Sequence, residues 1–136
     1  MALIFYRIGN WCYRNKIPLV PRFMTLMGRL VLGCHIDSKA RIGRDVKLAY
    51  GGSGVVIHGS AVIGKNCLIS PGVVIGGRSG KAAAQLGDSV KVYSNAAILG
   101  DVKIGTGSII GSNVVVTESV KPFAVLVAQK PRYLEK

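Results

Sequence analysis

The stretch Val55-Val-Ile-His-Gly-Ser-Ala-Val-Ile-Gly-Lys-Asn-Cys-Leu-Ile-Ser-Pro-Gly-Val-Val-Ile75 carries a large aliphatic at every sixth position. Ile57, Ile63, Ile69 and Ile75 form the first run; after an eleven-residue gap Leu86, Val92, Ile98, Ile104, Ile110 and Val116 resume it. Aliphatics fill about a third of the chain, so ten matches in ten slots would arise by chance on the order of once in 10^5 chains. The slot after a rung is often glycine (Gly64, Gly76, Gly87, Gly105, Gly111), expected to supply positive φ at the corners. The slot four after each rung is small or Val-sized, from Ala61, Cys67 and Val73 through to Val114 and Val120.

A period of six is neither helical nor a simple hairpin alternation. It suits a triangular coil in which each hexapeptide contributes one short strand and one corner. The large and the small residue of each repeat both point inward, where only such a pair fits. Working outward, Ile36, Ile42 and Leu48 extend the ladder toward the N-terminus. About thirteen rungs make roughly four coils, stacked at the strand spacing of about 4.8 Å into a prism about 20 Å tall.

The rhythm breaks twice. Leu48 and Ile57 are spaced by nine around Ala49-Tyr-Gly-Gly-Ser-Gly54, and Ile75 and Leu86 are spaced by eleven around Gly76-Gly-Arg-Ser-Gly-Lys-Ala-Ala-Ala-Gln85. The extra residues must leave the prism, and such excursions are where function is expected. Neither has the Gly-Lys-Ser/Thr run or the strand-to-helix setting of a phosphate loop.

The chain divides into an N-terminal helical cap over 1–34, the coil over 35–121 and a C-terminal tail over 122–136. In the cap, Leu3, Ile4, Ile8, Trp11 and Cys12 share a helical face, Pro18 and Pro21 break the chain, and a second helix is expected from Arg22 to Leu32. Five basic residues and no acidic one precede Gly33. Two readings stand: the helices cap the open end of the prism, and they lie on an anionic membrane surface. Pro122 is expected to end the ladder. In the tail, Lys130, Arg132 and Lys136 read either as a solvated terminus or as a cationic grip on phosphate.

With 136 residues this is one domain. The net charge of +12 favours anionic partners. The basic residues are spaced singly without interleaved aromatics, so nucleic acid is not expected as a partner. Cys12, Cys34 and Cys67 have no metal-ligand spacing and no metal is expected; Cys67, in a small-residue slot, reads as a buried thiol, which points to a reducing cytoplasm, with association at the inner membrane face as an addition. No signal segment and no apolar run long enough to span a bilayer is read.

The phrases Gly54-Val-Val-Ile-His-Gly-Ser-Ala-Val-Ile-Gly64, Gly72-Val-Val-Ile-Gly-Gly77 and Ile98-Leu-Gly-Asp-Val-Lys-Ile-Gly105, with the two excursions in their order, resemble the hexapeptide-repeat acyltransferases. The likeness runs from Ile36 to Tyr133 and is strongest to the serine acetyltransferase group and its relatives in polysaccharide-modifying clusters. It implies an all-β fold, a left-handed parallel β-helix of about four coils with a short N-terminal helical cap. Handedness comes from the resemblance alone, since the usual crossover rule favours right-handed connections. The short helical front end looks like the polysaccharide O-acetyltransferase branch, whereas serine acetyltransferases carry a long helical domain not found in this sequence.

The resemblance further implies a homotrimer that holds acetyl-CoA between neighbouring prisms and transfers its acetyl group to an acceptor hydroxyl. It implies a general-base histidine in the first excursion and a second histidine in the later loop. This chain has Ala49-Tyr50-Gly51 where serine-specific members have Asp-His-Gly, and Ala82-Ala83 where they have Arg-His. That argues against L-serine as acceptor, and the likeness to the polysaccharide branch implies a sugar or polysaccharide precursor instead. Tyr50 occupies the base position, though a phenol is a poor base near neutral pH. His58 has a suitable intrinsic pKa but also reads as a corner imidazole bonding the backbone. For the CoA phosphates the resemblance suggests Gly105, Gly111, Lys121, Lys130 and Arg132. A degenerate homologue that binds a ligand or partner without catalysis is the alternative, and a basic binding module the third.

Overall fold

The computed structural model of the chain describes residues 1–134; Lys136 of the basic tail lies outside the described residues. Two helices, α1 (Ala2–Arg14) and α2 (Val20–Leu32), precede the coil. The first coil is β1 (His35–Ile36), β2 (Arg41–Ile42) and β3 (Lys47–Leu48); the second is β4 (Val56–Ile57), β5 (Val62–Ile63) and β6 (Leu68–Ile69). The third is β7 (Val74–Gly76), β8 (Gln85–Leu86) and β9 (Lys91–Val92), and the fourth β10 (Ala97–Leu99), β11 (Lys103–Ile104) and β12 (Ile109–Ile110). β13 (Val115–Val116) and β14 (Val125–Leu126) belong to a further partial coil.

The strands stack in parallel into three walls: wall A is β1-β4-β7-β10-β13, wall B is β2-β5-β8-β11, and wall C is β3-β6-β9-β12-β14. The solenoid is the left-handed β-helix that the resemblance implies. Its register follows the ladder. Ile57 pairs with Ile75 and Ile98 with Val116, eighteen residues on. Where an excursion intervenes the rungs still meet, Ile36 against Ile57 and Ile75 against Ile98, because the surplus is expelled at an edge.

Rungs and small slots share one core. Ile57, Ile63, Ile69, Ile75, Ile98 and Ile104 are buried together with Ala40, Ala61, Cys67, Val73, Val90 and Ala96. The one polar occupant of an inner slot between Ala96 and Val114, Ser108, donates its hydroxyl to the Lys121 carbonyl at 2.9 Å, which offsets its burial.

Three expectations are corrected. The glycines after the rungs are not the positive-φ residues. That conformation falls three positions after a rung, on Asp45, Asn66, Gly72, Ser89, Asn95, Gly107 and Asn113, where Asn, Asp and Gly tolerate it. The glycine after the rung serves stacking instead: a Cβ on Gly64 would sit 2.5 Å from the Gly87 carbonyl oxygen of the next coil. Pro122 also does not end the solenoid. It occupies a corner, and the ladder continues with a shortened step, as Val120 bridges to Ile104 and Leu126 pairs with Ile110.

The third correction concerns the helices. Pro21 lies in the first turn of α2, where its missing N–H costs no intrahelical bond, so α2 begins at Val20. The buried face of α1 is Ala2, Tyr6, Gly9 and Cys12, while Ile4, Ile8 and Trp11 are exposed. Polar groups make the contact with the coil. The Tyr6 hydroxyl donates to Ala40 O at 2.7 Å and accepts the Ile42 N–H at 3.2 Å. Arg7 donates to the carbonyls of Ile42 (2.8 Å) and Gly43 (2.6 Å), and Asn10 to that of Ser38 (2.7 Å). α1 therefore satisfies backbone groups that the first coil has no preceding strand to meet, which is a capping role.

Burial pushes the Tyr6 phenol above its usual range, against the smaller opposing effects of the Ile42 amide and of Arg7. A group whose folded pKa is raised stabilises fully below its unfolded pKa and loses that contribution as pH rises toward the folded value. Tyr6→Phe should cost about 1–3 kcal/mol at neutral pH by orphaning Ala40 O and Ile42 N–H. It should also flatten the alkaline fall in stability relative to the parent chain. Denaturant titrations of both proteins at neutral and alkaline pH check the pair of effects.

Candidate active site

The three walls meet at three edges, and the sequence places chemistry on each. The first excursion leaves between β3 and β4, on the edge joining walls C and A. It is a tight turn over Ala49–Gly52 in which Tyr50 (φ 51, ψ 38), Gly51 and Gly52 are left-handed. The turn throws the Tyr50 ring outward, 90% exposed, and its hydroxyl has no hydrogen-bond partner among the described residues. Gly52 is buried and a Cβ there would meet Leu48 Cδ1 at 2.9 Å, so two glycines in this turn are conformational necessities.

The second excursion leaves between β7 and β8, on the edge joining walls A and B. His58 lies on the same edge one coil earlier, between β4 and β5. Ser60 ties the two together. Its Oγ accepts the Ala83 N–H at 2.8 Å and lies 2.8 Å from His58 Nδ1, and its own N–H donates to Nδ1 at 3.2 Å. The serine hydroxyl, already an acceptor for Ala83, turns its hydrogen to the ring. Assigned from this network, Nδ1 is an acceptor and the neutral imidazole carries its hydrogen on Nε2. In that tautomer Nε2–H is a donor rather than the lone pair that proton abstraction needs.

Tyr50 and His58 thus stand on opposite edges of wall A, and one protomer does not bring them together. The excursion loop itself is shorter than the rhythm suggests. Ala83 and Ala84 are buried in the core, so only the residues from Gly77 to Ala82 stand clear of the prism. A histidine in place of Ala83 would have to displace the packing around this buried methyl group.

The five phosphate candidates are dispersed. Gly105 and Lys121 sit on the edge joining walls B and C, Gly111 on the edge joining C and A, and Lys130 and Arg132 in the extended segment after β14. The Gly105 N–H donates to Val120 O and the Gly111 N–H to Leu126 O, both at 2.8 Å. Those amides are committed to coil stacking and are not free donors for a phosphate. Lys121, Lys130 and Arg132 are exposed cations and keep the charge complementarity that a diphosphate and a 3′-phosphate require.

Sequence reading missed a cleft of about 1010 Å³ between α1 and the outer face of β2 and β5. Arg7, Arg14, Lys39 and Arg41 line it with Asn10 and Tyr13. Tyr6 and Asn10, four residues apart on α1 beside Arg7, were the available signal: polar groups on the side of an amphipathic helix that faces its neighbours. Burial raises the thiols of Cys34 and Cys67 above their usual range, and Cys67 Sγ donates to Gly87 O at 3.2 Å, so both are packing residues.

A three-walled prism of six-residue repeats with outward loops at its edges defines the class: this is a hexapeptide-repeat, serine acetyltransferase-like protein. Residues 83–118 match the family described as bacterial transferase hexapeptide (six repeats). The serine acetyltransferase of Synechococcus elongatus is 37% identical over 122 residues, 88% of this chain and 50% of that protein. That of Mycobacterium tuberculosis is 35% identical over 125 residues, 90% of this chain and 54% of that protein. The crystal structure of Neisseria gonorrhoeae serine acetyltransferase in complex with serine superposes with a TM-score of 0.89 at 32% identity, over 96% of this chain and 55% of that one. The chain spans about half the length of the relatives it matches.

Ser60→Ala removes the anchor shared by the His58 corner and the second excursion. It should cost about 1–2 kcal/mol of stability. It should also speed hydrogen exchange at the Ala83 amide while leaving exchange at Ile69 unchanged, as amide exchange measured by NMR will report.

Proposed function

We propose that the chain transfers an acetyl group from acetyl-CoA to an acceptor hydroxyl, as a trimer, and that the acceptor is a sugar hydroxyl rather than that of L-serine. Acetyl transfer is supported by relatives named serine acetyltransferases that align along nearly the whole of this chain. In the transfer the acceptor oxygen bonds to the thioester carbonyl carbon, the carbon–sulfur bond breaks, and CoA leaves as the thiol after taking up the acceptor's proton. The cations Lys121, Lys130 and Arg132 suit the phosphates of the donor, whereas the glycine amides are committed elsewhere.

Trimer formation is supported by the outer face of wall A. Val56, Val74, Ala97 and Val115 stack in register along it, while wall B turns Arg41, Val62, Gln85 and Lys103 outward. Three prisms set with wall A toward a common axis bury that apolar ladder. The same arrangement places the first excursion of each copy beside the second excursion of its neighbour. A site assembled this way draws Tyr50 from one copy and the His58–Ser60 corner from the next.

The observation that carries the acceptor reading is the first excursion, Ala49-Tyr50-Gly51, which offers neither a carboxylate nor an imidazole to an amino-acid substrate. The relatives themselves are named for serine, so serine is the acceptor to test first. A second reading, a trimer that binds its ligand without turnover, is favoured by the same turn: the Tyr50 hydroxyl has no partner among the described residues to activate it.

Acetyl-CoA at a hundred times its Kd should stabilise the folded chain by about 2.7 kcal/mol. Release of free CoA should appear with saccharide acceptors and be absent with L-serine, and Tyr50→Phe should lower that rate roughly 10²-fold or more if the phenol removes the proton. Turnover with L-serine would overturn the acceptor assignment. Stabilisation without turnover on any acceptor selects the binding reading, and neither effect would sink the donor.

A further inference from the structure

α1 and α2 are amphipathic in an unexpected sense: beyond Leu3, Tyr6 and Leu32, which pack on the core, each carries a stripe of large apolar side chains that is exposed. On α1 Ile4, Ile8 and Trp11 are exposed at helical spacing, on the face opposite Ala2, Tyr6, Gly9 and Cys12. On α2 Phe23, Leu26 and Leu30 repeat the pattern, and Leu19 stands 76% exposed just before the helix. The inward contacts are made by Tyr6, Leu3 and Leu32 with small residues and hydrogen bonds, so the outward stripes are not needed to hold the cap on the prism. Leaving this much aliphatic and aromatic surface in water is unfavourable, and such surfaces mark interaction sites.

The charge around the stripes identifies the partner. Arg14, Lys16, Arg22 and Arg29 are exposed in and between the two helices, and no acidic residue occurs before Asp37. Arg7 is excluded from this set because its guanidinium is committed to Ile42 and Gly43. A neighbouring protein would have to present an apolar surface rimmed by acids. An anionic lipid surface supplies hydrocarbon and negative headgroups in the required order, and an indole at the boundary is a recurrent anchor of such contacts. No helix among the described residues is long and apolar enough to cross a bilayer, so the geometry is one of lying on the surface.

We infer that α1 and α2 form a docking face for anionic membranes, with Ile4, Ile8, Trp11, Phe23, Leu26 and Leu30 entering the headgroup boundary and the four cations contacting lipid phosphates or carboxylates. None of the six stripe residues belongs to the outer ladder of wall A or to either excursion. Docking does not depend on acetyl transfer. A face of this kind would hold the prism against a membrane that carries its acceptor.

Trp11 is the only tryptophan in the chain and is 62% exposed, so it reports directly. The full chain should co-sediment with phosphatidylcholine vesicles containing phosphatidylserine and not with phosphatidylcholine alone, and Trp11 emission should move to the blue on binding. High salt should weaken the partitioning. Replacing Arg14, Arg22 and Arg29 by Gln should lower it by about fivefold for each cation removed. Ile8→Ser with Leu30→Ser should abolish the blue shift. All of these are surface changes, and thermal melts will verify that the variants remain folded. No sedimentation with anionic vesicles, or equal sedimentation with neutral ones, overturns the proposal. So does Trp11 emission that is already blue before lipid is added and unmoved by it, which would assign the stripes to contacts between copies.

Discussion

Everything in this molecule rests on the pairing, inside each hexapeptide, of one large aliphatic with one small residue four positions later. The triangular cross-section has room for that pair and for little else. Ile57 beside Ala61, Ile63 beside Cys67 and Ile69 beside Val73 fill three successive walls of one coil, and the next coil repeats the solution directly above. Because interiors pack at near-crystalline density, a coil that fits its own cross-section also fits its neighbours. The backbone then needs no long-range instruction beyond register, and the rungs supply it.

The same constraint explains the glycines. Coils stacked one strand spacing apart bring backbone against backbone at the edges, and a side chain at the position after the rung would collide with the coil above. The amides of Gly105 and Gly111 are consumed by that stacking. Function is thereby displaced from the regular corners to the places where extra residues leave the prism. The two excursions flank wall A, which is also the wall with the apolar outer ladder. Assembly and chemistry are therefore coupled: the surface that draws copies together is the surface whose borders carry the loops.

The cap follows a different logic. The first coil has no coil before it, so its carbonyls and amides need partners that are not strands. Tyr6, Arg7 and Asn10 meet that need with hydrogen bonds, and the small residues Ala2 and Gly9 let α1 come close enough for them to do so. Once these groups, with Leu3 and Leu32, have taken the inward side, Ile4, Ile8, Trp11, Phe23, Leu26 and Leu30 are left on the outside. Their exposure is a consequence of how the end of a solenoid must be closed.

The period of six determined, from sequence alone, the solenoid, the identity of the core, the register between coils and the two points where the chain departs from the prism. It could do so because each repeat solves its packing locally, and spacing is a local property. Tertiary structure alone decided which face of α1 is buried, since a helical stripe of apolar residues does not reveal whether its partner offers hydrocarbon or unpaired backbone. It also decided that the ladder passes Pro122, because a corner tolerates a residue without an N–H where a strand does not. And it separated Tyr50 from His58: eight residues apart in the chain, they lie at the two ends of one wall, a distance set by the geometry of the triangle and invisible in the spacing.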